Sequence, residues 1–386
     1  MSFHVITCCV LFSMAALGAQ APYEIERINN KQPIIHVGHF EALGVAEEEG
    51  NNINGPSLIR VPAWIPPEDR AHPNAVYYLY FAHHGGHYIR MAWASDIEGP
   101  WHLYRTGSDV PVGQRGVLDL GEDNAIEPGN GIRIHRHVAS PDVHIDEDNA
   151  QIIMYFHAPS AHRGDGTGQA TFVATSRDGL NFNMEEHGGQ EGHGVRPVIL
   201  GRFYFRVFEY NEELYAIGNF GRLYKALDPQ NPWTPPEDHD FGAYLWEEGR
   251  NPFREALRAD GITDMYPRHF AVRLVNNTLH AFYSRIGDRP ERILLSTIDL
   301  TAGDNDWMQW EPSYPPYEVL TAEEEWEGGH IAVTASERGR VYGGVNELRD
   351  PCLFKDDDGQ WYLLYSGQGE DAIGIATLNY RGAQDQ

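Results

Sequence analysis

Pairs of apolar or aromatic segments, each joined by a short polar stretch, recur along the chain. The repeat is β-rich and returns at a period of roughly 60 to 85 residues, which is typical of a β-propeller. Five copies are readable, at residues 56–59 with 76–81, 141–145 with 152–156, 205–208 with 214–217, 269–272 with 279–283, and 351–354 with 361–365.

Several copies continue into a third strand-like segment, at residues 89–94, 171–175, 292–296 and 373–377. A unit of three or four antiparallel strands cannot bury its face alone, so we expect neighbouring units to pack together as blades. The stretches 101–139 and 313–348 contain further strand-like pieces that the repeat does not place.

The chain divides into a leader and one large domain. Residues 1–21 hold an apolar run that ends in small residues, which predicts a secretory signal peptide cleaved between Gly18 and Ala21, although no Lys or Arg precedes the run. A buried N-terminal strand is the alternative interpretation. Residues 22–386 are predicted to form a single propeller domain, since no linker interrupts them. We therefore expect a secreted protein, extracellular or periplasmic.

The formal net charge of −27 restricts the partners of this surface. Such a charge repels nucleic acids and anionic membranes, so neither is expected as a partner. It suits a salty medium, because about 1 M salt reduces the range of self-repulsion to about 3 Å, so a marine setting is expected. A negatively charged substrate would require a local cluster of Arg and His residues.

Cysteine is scarce. Cys8 and Cys9 would leave with the signal peptide, so the mature protein would hold Cys352 alone and no internal disulfide. The thiol is then either a small core residue or a metal ligand.

The repeat also predicts where chemistry takes place, because equivalent positions of all blades meet at one end of a propeller. Polar residues gather at the starts of first strands, the ends of second strands and the starts of third strands. They are His83, His84, His87, His135, His137, His157, Tyr204, Arg206 and Arg222. This set predicts a binding site for an anionic ligand on one face.

Imidazole, phenol and guanidinium groups together suit β-elimination at a uronic acid. Arginine neutralises the sugar carboxylate through two hydrogen bonds. A neutral histidine removes the C5 proton, and tyrosine protonates the leaving oxygen or acts as the base.

A glycoside hydrolase is the main alternative, because residues 94–101 resemble blade edges of family 43 hydrolases. Those enzymes need an acid and a base carboxylate on facing blades. Ser57 stands where the base is needed, Tyr204 and Arg206 stand where the acid is needed, and Asp142 and Asp350 remain as isolated carboxylates. A carbohydrate-binding propeller without catalysis is the third interpretation.

From about Asn54 to Ala376 the sequence resembles the ulvan lyases of polysaccharide lyase families 24 and 25, more closely the latter. The resemblance depends on five segments, at residues 78–87, 139–144, 154–157, 203–208 and 283–288. It implies catalytic roles for His137, His157, Tyr204 and Arg222, with His135 and Arg206 as alternatives to His137 and Arg222. The implied reaction cleaves ulvan, a sulfated green-algal polysaccharide, between rhamnose 3-sulfate and glucuronic or iduronic acid, and leaves an unsaturated uronate.

The same resemblance implies seven blades and a structural metal, with zinc favoured over calcium and no organic cofactor. His269 and Cys352 occupy positions that look equivalent in adjacent repeats, and His330 precedes the last blade, so these three residues are the predicted ligands. His83, His84 and Arg206 are predicted to contact the substrate. We expect a monomer.

Overall fold

The structure is a computed structural model that describes residues 21–162, 168–185, 188–341 and 343–382. The predicted signal peptide lies outside these residues apart from Ala21. The described residues form 24 strands, β1 to β24 in chain order, arranged in five sheets. Among their helices, none is long and apolar enough to span a membrane.

The first two sheets contain the strands between residues 54 and 202. Blade 1 consists of β2 (Asn54–Arg60), β3 (Tyr77–Ala82), β4 (Tyr88–Ala94), β5 (His102–Tyr104) and β6 (Leu118–Asp119). Blade 2 consists of β7 (Ala125–Gly129), β8 (Ile132–His135), β9 (Ala139–Asp146), β10 (Gln151–His162), β11 (Gln169–Ser176), β12 (Gly194–Val195) and β13 (Gly201–Arg202).

The remaining three sheets have four strands each. Blade 3 consists of β14 (Arg206–Tyr210), β15 (Glu213–Gly218), β16 (Arg222–Lys225) and β17 (Glu247–Glu248). Blade 4 consists of β18 (Tyr266–Val275), β19 (Thr278–Ile286), β20 (Ile293–Asp299) and β21 (Tyr317–Leu320). Blade 5 consists of β22 (Arg349–Lys355), β23 (Trp361–Gly367), β24 (Ala372–Tyr380) and β1 (Tyr23–Arg27).

Short helices connect or cover the blades. They are α1 (Val37–Glu41), α2 (Ala46–Glu49), α3 (Pro252–Ala259) and α4 (Ala302–Asn305). The longest, α3, begins at Pro252, and the Asn251 side chain caps it by accepting a hydrogen bond from the Arg254 backbone N–H.

The hydrophobic core consists of five clusters, and each lies between two neighbouring blades. The side chains of strand β3, which point alternately to its two faces, show how a blade contributes to both neighbouring clusters. Tyr78 and Tyr80 pack between blades 1 and 2, whereas Leu79 and Phe81 pack between blades 1 and 5. Both faces of a blade are therefore buried, which explains why its central strand reads as a continuous apolar run.

Strands β1 and β24 close the ring. They pair antiparallel from Tyr23 with Tyr380 to Arg27 with Ala376, so the two ends of the described chain complete one sheet. The Arg27 guanidinium also bonds the buried Glu327 carboxylate, with Nε 2.8 Å from Oε1. The pairing of β1 with β24 fixes blade 5 between blades 4 and 1.

The inner strands β2, β9, β14, β18 and β22 all begin at the same end of the ring. Near each start, one residue adopts left-handed backbone torsion angles. These residues are Gly55 (φ 60°), Ser140 (49°), Tyr204 (65°), His269 (55°) and Asp350 (50°), and each is followed by Pro or Phe. We call them the left-handed ring. The kink turns five equivalent positions toward one end of the axis.

The predicted β-propeller is confirmed, and its blades correspond to the five readable repeats. The blade number of seven that the family resemblance implies is wrong for this chain, since the described residues form five sheets. The unplaced stretches 101–139 and 313–348 supply β5 to β8 and β21, which are outer or additional strands rather than further blades.

Replacing Gly55 by Ala should destabilise the propeller by about 1–2 kcal/mol, because an L side chain is strained at positive φ. The new Cβ would also lie 3.3 Å from Ser140 Cα. Urea unfolding followed by tryptophan fluorescence measures the change. Gly168→Ala is the matched control, since Gly168 has ordinary torsion angles and open space around it. Equal midpoints for both variants would contradict the importance of the left-handed ring.

Candidate active site

A cavity at the end of the axis where the inner strands begin is lined by residues from all five blades. Blade 1 contributes Asn54 and His84, blade 2 His137, His157 and Gln169, blade 3 Tyr204, blade 4 His269, and blade 5 Asp350 and Glu370. Four of the five left-handed residues, all except Gly55, line this space. We call it the axial cavity.

Three predicted catalytic residues lie together in the axial cavity. The ring centroids of His137 and His157 are 5.8 Å apart, those of His157 and Tyr204 4.5 Å, and those of Tyr204 and His269 5.0 Å. All three contacts are edge to face, a favourable geometry for aromatic rings. The structure thus assembles a continuous row of three imidazoles and one phenol from blades 2, 3 and 4.

Burial sets the protonation states in this row. Burial, and then neighbouring His137, keeps the pKa of His157 well below its usual value. Burial, and then His84, lowers the pKa of His137 to about 4. Burial, and then the Asp350 carboxylate, raises the pKa of Tyr204 above its usual value. At neutral pH the cavity therefore holds two neutral imidazoles, which accept protons, beside a protonated phenol, which donates one.

Two carboxyl groups from blade 5 complete the lining and differ in their ionisation. Burial, and then the charge of Glu370, raises the pKa of Asp350 to about 7. Asp350 Oδ1 lies 3.0 Å from His269 Nδ1. Burial opposes ionisation of Glu370, but a hydrogen bond from His84 and the charge of Arg349 outweigh it and lower the Glu370 pKa.

Glu370 is held at both oxygens. Oε2 accepts hydrogen bonds from Asn52 Nδ2 at 2.7 Å and Asn54 Nδ2 at 3.1 Å, and lies 3.4 Å from His84 Nδ1. Oε1 accepts from Arg349 Nη1 at 3.2 Å. This carboxylate therefore joins blade 5 to blade 1 and orients His84.

A network of buried charges supports the blade 4 and blade 5 side of the cavity. Arg268 Nε donates to Glu291 Oε1 at 2.8 Å, and Arg349 Nε lies 3.3 Å from Glu291 Oε2. Arg349 also pairs with Glu347 and Glu370. Arg268 and Arg349 each directly precede a residue of the left-handed ring, so the network fixes His269 and Asp350 beside one another.

His157 Nδ1 and Asp350 Oδ2 in the axial cavity form no hydrogen bond with the described part of the chain. Buried polar atoms without partners cost about 1–3 kcal/mol each, and a polar ligand in the cavity would offset that cost.

The predicted arginines lie outside the cavity lining. Arg222 starts the third strand of blade 3 on the same face, but its Nη1 donates to Gly249 O at 2.7 Å and lies 3.2 Å from Glu248 Oε1. Arg206 is buried, and its Nη1 donates to Phe205 O at 2.9 Å. It lines a separate channel along the axis with Ser57, Asp142, Ala271 and Cys352, one residue from each blade.

The other predicted histidines are divided between two places. His84 lines the axial cavity, whereas His83 and His87 line an adjoining cavity on blade 1. His83 Nε2 is 2.9 Å from Asn51 Oδ1. His135 is half-buried and does not contribute to the axial lining, so His137 is the member of that pair that does.

The three predicted metal ligands are not brought together. His269 lines the axial cavity, Cys352 lines the channel, and His330 is exposed. Burial raises the pKa of Cys352 to about 11, which disfavours the thiolate that zinc requires. No group of three His, Cys, Asp or Glu side chains able to hold a metal occurs among the described residues. These residues therefore do not fit the predicted metal site.

An alignment shift explains that outcome. The left-handed residue of blade 4 is His269 and that of blade 5 is Asp350, while the bulges place Ala271, not His269, in the position equivalent to Cys352.

Sequence reasoning also missed Asn54 and Glu370. The left-handed positions of the inner strands could have been found in the sequence, because each directly precedes Pro or Phe. No motif in the sequence around Glu370 indicates its role.

Comparison with a family-43 glycoside hydrolase structure supports the propeller fold. No family model matches the chain. It is 29% identical over 331 residues to the uncharacterized protein R118 of Acanthamoeba polyphaga mimivirus, covering 85% of this chain and 83% of that protein. It is similar in structure to a thermostable family-43 glycoside hydrolase, with a TM-score of 0.50 and 13% identity over 88% of this chain and 96% of that one. An α-L-arabinanase from Cellvibrio cellulosa, solved with arabinohexaose, gives a TM-score of 0.46 at 13% identity over 85% and 91% of the two chains.

His137 should make stability depend on pH between about 4 and 6.5. In the unfolded chain His137 binds a proton as pH falls through about 6.5, whereas in the folded chain it binds one only near pH 4. Acidification between these values therefore lowers the free energy of unfolding. This one group contributes at most about 1.4 kcal/mol per pH unit. His137→Gln should therefore lose less stability than wild type over this window.

Urea midpoints at several pH values measure the difference. The exposed His330→Gln is the control and should follow wild type. If His137→Gln showed the wild-type pH dependence as well, the imidazole would not be held neutral by the cavity.

Proposed function

We propose that this protein cleaves an acidic polysaccharide by β-elimination at a uronic acid bound at the opening of the axial cavity. The observation that carries the proposal is that His137 contacts His157 and His157 contacts Tyr204 in one buried space, with both imidazoles neutral and the phenol protonated. A base and an acid in their reactive protonation states at neutral pH are what this chemistry needs.

The reaction divides between the two kinds of group. His137 or His157 accepts the C5 proton, the electrons of that C–H bond form the C4–C5 double bond, and the C4–O bond breaks. Tyr204 donates its proton to the leaving oxygen. The products are a chain with a new hydroxyl end and a chain with an unsaturated uronate.

Neutralisation of the sugar carboxylate falls to Arg222. Arg222 is the first residue of β16, and Gln169, which lines the cavity, is the first residue of β11. Because β16 and β11 are the third strands of their repeats, the two positions are equivalent and lie on one face. Its ion pair with Glu248 is partly exposed, with 31% and 28% of the two side chains accessible, and such pairs contribute only about 0–1 kcal/mol. A substrate carboxylate therefore replaces Glu248 at little cost. Asp350, protonated below about pH 7, donates to the same carboxylate.

The family resemblance extends the proposal to ulvan as substrate and to secretion of the enzyme. An anionic polymer has to approach a protein of net charge −27, which favours a medium of high ionic strength. Export agrees with such a substrate because the polymer is extracellular.

Hydrolysis is the second candidate, favoured by the opposite pKa shifts of Asp350 and Glu370. Asp350 would be the acid and ionised Glu370 the base. Two facts weigh against it. Both carboxyls come from blade 5, and both oxygens of Glu370 already accept hydrogen bonds. The likeness to a family-43 hydrolase concerns the fold, and one fold hosts many reactions.

Tyr204→Phe should reduce formation of unsaturated uronate from ulvan by about 10²–10⁴-fold, because the proton donor is lost. Ultraviolet absorbance of the conjugated product measures the rate, with heparin, alginate and pectin as comparison substrates. The exposed Tyr244→Phe is the matched control and should keep full activity.

The same assay separates the candidates. Suppose that wild type produces reducing ends without ultraviolet absorbance and that Asp350→Asn no longer produces them. This result would establish the hydrolase and overturn the lyase. Binding without either product would identify a carbohydrate-binding propeller. Full activity of Tyr204→Phe would remove the phenol from the mechanism.

A further inference from the structure

A second cleft lies on the face opposite the axial cavity, between blades 1 and 2. Its volume is about 570 Å³, within the range of about 300–1,000 Å³ usual for ligand sites. Trp64 and Asp69 come from the segment after β2, Asn149 from the turn between β9 and β10, and Arg177 from the end of β11. All four follow strand ends remote from the left-handed ring, so this cleft is separate from the proposed catalytic site.

The indole of Trp64 is fixed in the cleft. Its Nε1–H donates to Arg177 O at 3.2 Å, and the half-buried ring packs against the core cluster between blades 1 and 2. A held aromatic ring offers an apolar surface at low entropic cost, because its rotamer is already restricted.

The polar wall of the cleft is built by hydrogen bonds within the chain. Gln190 Nε2 donates to Asp178 Oδ2 at 2.7 Å, and Gln190 Oε1 accepts from the Arg177 backbone N–H at 2.9 Å. Asp178 Oδ1 accepts from Leu180 N at 2.8 Å. Asp178 is thus engaged at both oxygens, and the wall keeps its shape without a ligand.

Arg177 gives the cleft a positive group on a strongly negative protein. Its side chain is exposed, and it forms no ion pair with any residue that the structure describes. Burial, and then the charges of Arg177 and Arg196, lower the pKa of His193, so a second guanidinium lies nearby. Arg196 Nη2 donates to Thr175 Oγ1 at 3.0 Å on the same strand end.

These groups match the chemistry of an acidic pyranose. The ring has an apolar C–H face that stacks on an indole, hydroxyls that pair with amides and carboxylates such as Asn149 and Asp69, and a carboxylate or sulfate that pairs with a guanidinium. We propose that the cleft of Trp64 and Arg177 is a non-catalytic binding site for an acidic sugar unit of the polysaccharide. The inference rests on the proposed function for the identity of the polymer.

Affinity electrophoresis of the mature protein in gels containing ulvan tests this directly. Wild type should be retarded by ulvan and not by neutral dextran, and Trp64→Ala and Arg177→Gln should each lose at least half of that retardation. Trp64→Phe should retain most of it, because a flat aromatic ring remains. The exposed Arg258→Gln, on α3, is the matched charge control and should migrate as wild type.

Kinetics separate this site from the axial cavity. Both cleft variants should raise KM for the polymer several-fold while leaving kcat on short oligosaccharides unchanged. Wild-type retardation in both variants, or absence of wild-type retardation in ulvan, would overturn the inference. Retardation that depends on Trp64 and Arg177 without any unsaturated product would support the cleft and reject the lyase, so the two failures are distinguishable.

Discussion

The left-handed backbone at the starts of the inner strands is the constraint on which the site depends. Four of its five residues, Ser140, Tyr204, His269 and Asp350, carry side chains, and left-handed torsion angles cost L-residues about 1–2 kcal/mol each. Such strain persists only where the surrounding structure determines it. Here the five inter-blade cores hold the strands, and the kinks bring the four side chains to one cavity.

The buried charges give that cavity its chemical character. Arg268 and Arg349 share Glu291, and Arg349 also pairs with Glu347. Arg349 reaches Glu370 of the cavity lining as well, so the two guanidinium groups offset carboxylate charge both beside and within the cavity. Buried pairs of this kind contribute little net stability, yet loss of one partner is costly. Their effect is positional, since they fix the residues beside them. Within the cavity itself, desolvation dominates and keeps the imidazoles of His137 and His157 neutral and the phenol of Tyr204 protonated.

Much of this arrangement was readable from the sequence. Five repeats were readable and correspond to the five blades, and equivalence of positions predicted that His137, His157 and Tyr204 share one face, because propeller geometry is periodic. The family resemblance misjudged the blade number, and a two-residue alignment shift paired His269 with Cys352 instead of Asp350. Glu370 was unpredictable, since its role arises from Asn52 and Asn54, more than 300 positions away in the chain. Arg222 is on the predicted face, but local pairing with Glu248 determines its orientation.

The pairing of β1 with β24 has a consequence for how the molecule acquires its shape. Within blades 2, 3 and 4, neighbouring strands are close in sequence, so these sheets have low contact order and form early. Tyr23 meets Tyr380 only after nearly the entire polypeptide has been synthesised, and closing so long a loop carries a large entropic cost. Assembly is therefore expected to pass through an open ring with two unprotected strand edges, the stage at which association with other chains competes with closure.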